Sequence, residues 1–141
     1  MTPVNNEISS TSQKISWLGT LTFLTAGFLA MFISGLEPLF VITSLALFGS
    51  GLIMALRAFT VSIARSRYEM ISTADLVIIP KGVQTNARLN LYGSLATQVT
   101  ASIAFAATQS STNFAFGILA SVFALGNVNI WAISNGTFKK R

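Results

Sequence analysis

Residues 15–34, ISWLGTLTFLTAGFLAMFIS, run without a single charged side chain. A helix needs roughly 20 mainly apolar residues to cross the hydrocarbon core of a bilayer. Inside that core each backbone N–H and C=O must find a partner within the protein, and a lone apolar run does so by coiling into an α-helix. Three more segments of this kind follow. LFVITSLALFGSGLIMALRAFTVSIA, at 39–64, holds one charge, Arg57, late enough in the run for its long stem to carry the head to the interface. The third covers 91–110 and is the most polar. The fourth is FAFGILASVFALGNVNIWAIS, at 114–134. The expected fold class is an all-α integral membrane protein with four transmembrane helices.

The links decide how the helices pair. GLEP joins the first two and SSTN the last two, and both are too short for anything but antiparallel hairpins. The link at 65–90 is long and charged. Arg65 and Glu69 stand four apart, a weakly stabilising helical pair. DLVIIPKGVQT then brings a β-branched run and a Pro80-Lys81-Gly82 turn signal. We expect a short β-hairpin-like segment here, with strands near 75–79 and 83–85. The chain thus divides into a polar tail at 1–14, a hairpin at 15–64, a segment at 65–90, a hairpin at 91–134 and a basic tail at 135–141. The first tail has no core-forming pattern and alone is expected to be disordered.

Basic residues set the orientation. Lys14, Arg65, Arg67, Lys81, Arg88, Lys139, Lys140 and Arg141 all fall on one side of this topology, and the two short loops contain none. Both termini and the central segment are expected in the cytoplasm of a bacterial cell, with the plasma membrane as host. Residues 65, 67, 81, 88 and 139–141 are expected to touch anionic lipid. The net charge of +5 is then a topology signal, not a nucleic-acid footprint. The Asn-Gly-Thr at 135–137 matches a glycosylation pattern but faces the cytoplasm on this topology.

The third segment places Ser94, Gln98 and Ser102 on one helical stripe and Gly93, Thr97 and Ala101 on the next. Small faces let backbones approach closely, and hydroxyl and amide groups bond between helices. Ser94, Thr97, Gln98 and Ser102 are therefore read as packing or partner contacts, with Leu95, Val99, Ile103 and Phe105 toward lipid or a larger neighbour. Gly117 and Ser121 make a small-x-x-x-small step, as do Ala120 and Ala124. Gly-Ser-Gly at 49–51 invites close packing or a kink. Glu37, beside Pro38, is expected to cap or orient the external turn. Trp17, Trp131, Tyr68 and Tyr92 suit interfacial belts.

Chemistry is sparse. With neither cysteine nor histidine, thiolate and imidazole catalysis are excluded and the common zinc and haem ligands are missing. Intramembrane carboxylates mark ion-coupled transporters, and none lies inside a span here; small multidrug transporters need one in their first span. No catalytic, cofactor or metal residue is assigned, and no enzyme is expected.

ARLNLYGSLATQV at 87–99, with ADLVIIPKGV at 74–83 before it, resembles segments of small multi-span membrane proteins of actinobacterial type. The likeness covers about a fifth of the chain. Accessory subunits of the respiratory cytochrome bcc–cytochrome c oxidase supercomplex are of this general kind, short and without cofactors. The resemblance brings no catalytic motif and implies no activity; the absent chemistry and the small packing faces lead us to expect a non-catalytic subunit in a hetero-oligomer. Two other readings stay open: a homo-oligomeric transporter or channel with Ser94, Gln98 and Ser102 lining a path, and an enzyme acting on lipids.

Overall fold

A computed structural model describes residues 3–79, 85–109 and 112–140, with side chains from Ser10 onward. The element order is α1 (Pro3–Phe32), α2 (Glu37–Arg65), β1 (Glu69–Met70), a 3-10 turn (Thr73–Leu76), α3 (Thr85–Thr108), α4 (Thr112–Ala115), α5 (Gly117–Asn135) and β2 (Lys139–Lys140). The protein is thus almost wholly helical. Three stretches are long and apolar enough to cross a membrane: Ser10–Phe32, Glu37–Arg65, and Thr112–Asn135, in which α4 and α5 run on as one. The expected fourth span, 91–110, is not among them. Its helix α3 has the length, but the hydroxyls and amides along it lower its mean hydropathy.

The short turns form as the sequence dictates. Gly35 sits at φ 96°, a left-handed conformation open to glycine, and ends the first helix. Pro38 occupies the first turn of α2, where a missing N–H leaves no bond unmade. Glu37 does more than orient its own turn. Its carboxylate accepts a hydrogen bond from Asn113 Nδ2 at 2.7 Å, which ties the two short turns together.

Two expectations need correction. The described part of the segment at 1–14 is not a separate tail, because α1 already begins at Pro3. Once the apolar part is helical, propagation upstream needs no new nucleus. The central β-hairpin is also absent among the described residues. Residues 73–76 form a 3-10 turn, capped by reciprocal bonds between Ser72 and Asp75, and Thr85 already belongs to α3. The turn at 80–84, with Lys81, lies outside the described residues. The strand pairing found instead is antiparallel between β1 and β2, with Glu69 opposite Lys140 and Met70 opposite Lys139. A two-stranded ribbon is marginal alone. Here Arg65 braces it: Nε and Nη2 donate to Glu69 at 2.9 and 2.8 Å, Nη1 donates to Ile133 O at 2.5 Å, and the guanidinium lies 5.0 Å from the centre of the Phe138 ring.

Helix α5 is the hub and touches α1, α2 and α3. Its apolar window is 56% buried, against 17% for α2. The α2–α5 contact is close enough to exclude side chains: a Cβ on Gly51 would lie 2.4 Å from Val122 O, and one on Gly126 would lie 2.4 Å from Gly51 O. Of the Gly-Ser-Gly motif, only Gly51 plays this part, since nothing stands within 4 Å of a Cβ at Gly49.

The end near the short turns is filled by phenylalanine. Phe23, Phe40, Phe105 and Phe114 are buried with centroids 5.2–6.4 Å apart. Such ring pairs add about 0.5–1.5 kcal/mol each beyond their buried area. The opposite end packs Trp131, Leu91, Ile79 and Val128. Trp131 is therefore core, 1% exposed, not part of an interfacial belt. Tyr92 is likewise a clamp: its hydroxyl donates to Val77 O at 2.5 Å and accepts from Ile79 N at 2.9 Å. Trp17 and Tyr68 are exposed.

Candidate functional site

Helix α3 presents its polar stripe inward. Ser94, Gln98 and Ser102 are all buried to within 1%. The first two meet matching groups on α1. Ser94 Oγ lies 2.5 Å from Ser16 Oγ, and Gln98 Nε2 donates to Thr20 Oγ1 at 2.8 Å. One turn earlier, Asn90 Nδ2 donates to Gln13 Oε1 at 2.8 Å. These partners are 77, 78 and 78 residues apart. A near-constant offset means that α1 and α3 run parallel and in register, with one polar rung per turn. At the same offset the Phe105 ring fills the space over Gly27, where a Cβ would fall 2.4 Å from the ring.

Ser102 turns the seam toward α5. Its hydroxyl stands 2.6 Å from Gln98 O in its own helix and 2.9 Å from Gly117 O across the interface, with Ser121 Oγ at 3.4 Å. Gly117 also lies against α2: a Cβ there would strike the Phe40 ring at 2.7 Å. Thr97 lies outside the seam, half-buried, and its hydroxyl donates to Gly93 O within its own helix at 2.8 Å. Phe105 sits in the phenylalanine core, while Val99 and Ile103 are exposed.

Two buried polar atoms have no partner among the described residues, Gln98 Oε1 and Ser44 Oγ. Asn127 Nδ2 donates to Phe123 O at 3.0 Å. Asn129, with its amide turned to suit its neighbours, donates to Leu76 O at 2.8 Å and so holds the 3-10 turn on α5.

The seam is neutral. A hydroxyl is a weak nucleophile without an adjacent base; Ser16 and Ser94 face each other, Thr20 faces the Gln98 amide, and Ser102 faces backbone carbonyls and Ser121. Among the described residues no group of three or more His, Cys, Asp or Glu could hold a metal. The arrangement binds helix to helix.

Of the basic residues, Arg67, Lys139 and Lys140 are exposed beside the β1–β2 ribbon, and Arg88 is half-buried. Arg65 is half-buried and already engaged by Glu69 and Ile133. Lys81 and Arg141 lie outside the described residues. Sequence reasoning missed Ser16, Thr20 and Gly126. Ser16 and Thr20 share the four-residue spacing of Ser94 and Gln98, and that likeness was the available signal. Gly126 interrupts an apolar helix, where glycine costs about 1 kcal/mol against alanine, and so flags a close approach. Comparison with protein-family models, with curated proteins and with solved structures gives no match.

Proposed function

We propose that the chain is a four-span, non-catalytic accessory subunit of a larger bacterial plasma-membrane complex. Both termini and residues 65–90 face the cytoplasm, and a respiratory cytochrome bcc–oxidase assembly is the host. The observation that carries the reading is the burial of the Ser94–Gln98–Ser102 stripe against α1 and α5. Polar groups consumed in this way hold a bundle together and leave no stripe to line a path, so the channel reading loses its main support.

The same burial supports α3 as the fourth span. Its 24 residues extend about 36 Å, more than the roughly 30 Å hydrocarbon core. Its outward face carries Ala96, Val99, Ile103, Ala104 and Ala107 together with Thr100 and Thr108, and the Thr108 hydroxyl is bonded within its own helix, so lipid or a neighbouring helix can meet it. Orientation follows from the basic residues. The ribbon draws Lys139 and Lys140 to the same end as Arg65 and Arg67, and the external turns, joined through Glu37 and Asn113, have no basic side chain. Helix α2, apolar and largely uncovered, supplies the surface for a partner. The respiratory host rests on the resemblance of 74–99 alone.

A pull-down in mild detergent through an affinity tag, followed by a native gel and an optical redox spectrum, tests the reading. A large band with haem absorption is expected, the haem being the partner's. A small colourless homo-oligomer would refute it.

A further inference from the structure

At the cytoplasmic end a groove of about 630 Å³ opens between α1, α2 and α5. Ile15, Ile53, Val61 and Ile130 give it apolar walls, and Arg57 and Arg65 give it two guanidinium groups. Arg65 is engaged by Glu69 and Ile133 O. Arg57 has no acceptor for its guanidinium among the described residues. It lies eight residues, about 12 Å, deeper along α2 than Arg65. Arg57 is exposed, and its long side chain carries the guanidinium along the groove toward the interface, where an anion can meet it.

The described carboxylates are occupied elsewhere. Glu69 pairs with Arg65, Asp75 caps the 3-10 turn, and Glu37 sits at the far end with Asn113. None of them lines the groove. None of these three supplies the counter-charge, and a molecule that reaches Arg57 from the bilayer can. A phospholipid supplies both halves of what the groove offers, a phosphate for the guanidinium and acyl chains for Ile53 and Val61. Ser12, Asn127 and Ser134 add polar groups along the same wall.

We propose that this groove is a binding site for one anionic phospholipid, with Arg57 holding its headgroup phosphate. The inference rests on the membrane-spanning reading given above and goes beyond the diffuse lipid contact expected of the surface basic residues.

The test uses the full chain reconstituted into vesicles of equimolar phosphatidylglycerol and phosphatidylcholine. Flotation is checked, the protein is extracted in mild nonionic detergent, and co-purifying lipid is measured by mass spectrometry. Wild type should retain phosphatidylglycerol over phosphatidylcholine by about fivefold, the ratio that one basic residue's attraction to an anionic lipid gives. Arg57→Gln should lose that preference. Arg57→Lys should keep most of it, and Arg67→Gln, on the exposed ribbon, should match wild type. Equal retention of the two lipids by wild type overturns the site, as does an unchanged preference in Arg57→Gln. If Arg57→Gln fails to fold, the wild-type preference and its retention in Arg57→Lys decide the matter. Thermal stabilisation by glycerol 3-phosphate as large as that by phosphatidylglycerol would also overturn it, since the acyl chains would then count for nothing. Failure of wild type to float overturns the membrane reading together with the site; flotation without lipid preference overturns the site alone.

Discussion

Gly51 and Gly126 let two backbones touch, and Gly49, two residues away, touches nothing. The contrast gives a paired prediction. Gly51→Ala puts a methyl group 2.4–2.5 Å from the backbone of Val122 and Phe123. Backbone atoms cannot swing aside, so α2 and α5 must part, and overpacking of this kind costs about 1–3 kcal/mol. Gly49→Ala meets open space and gains helix propensity of about 1 kcal/mol at most. Reversible unfolding in mixed micelles should show the first variant destabilised and the second neutral or stabilised. Equal behaviour would mean that the close α2–α5 approach does not exist. A second residue-scale prediction concerns the polar seam. Thr20→Val strands Gln98 Nε2 beside an Oε1 that already lacks a partner, and an orphaned buried group costs about 1–3 kcal/mol. Gln98→Leu removes both orphans, and Thr20 keeps its bond to Ser16 O. The threonine substitution should therefore be the more damaging of the two, although it alters the smaller side chain. The reverse order in the same assay would contradict the seam's bonding pattern.

At the scale of elements, the periodicity of the sequence made the helices legible, and the burial of Ser94, Gln98 and Ser102 follows from their four-residue spacing. Which helix they met was not legible. The parallel register of α1 and α3 depends on two hairpins docking, a contact 78 residues away in sequence. The β ribbon escaped for a similar reason. Pro80 and Gly82 advertised a local hairpin, whereas Glu69 and Met70 pair with the far end of the chain. Nothing local marks that pairing; it is held by Arg65, whose other partners come from α5 and the C-terminal segment. Arg65→Met should release residues 136–140 while the bundle stays folded. Limited proteolysis should then cut the C-terminal segment faster than in wild type, and an unchanged rate would show that the ribbon stands without its brace. The spanning of α3 is open to a direct check, since the chain has no cysteine of its own. Single cysteines at 86 and 139 should react with an impermeant maleimide from the cytoplasmic side, one at 112 from the other side, and one at 103 from neither. Labelling of position 112 from the cytoplasm would remove α3 from the membrane.

For the molecule as a whole, the telling imbalance is between α5, enclosed by three helices, and α2, left mostly bare. The bare face has an order of its own. Ile42, Leu45, Gly49, Leu52, Leu56, Phe59 and Ile63 follow one another at alternating steps of three and four. Apart from Gly49, all are among the exposed large apolar side chains. Lipid asks for no such spacing, whereas a second helix packed at the small crossing angle usual in membrane bundles does. Gly49 falls inside that seam with open space outside it, where a neighbour's backbone could come nearest. A leucine there would meet nothing within the chain and would project into whatever docks. Gly49→Leu should therefore leave the unfolding transition at or above that of wild type and abolish co-purification of the partner complex proposed above. Leu18→Trp, on the exposed face of α1, should leave the complex intact. Loss of the complex from the α1 change, with retention after Gly49→Leu, would move the partner's position from α2 to α1.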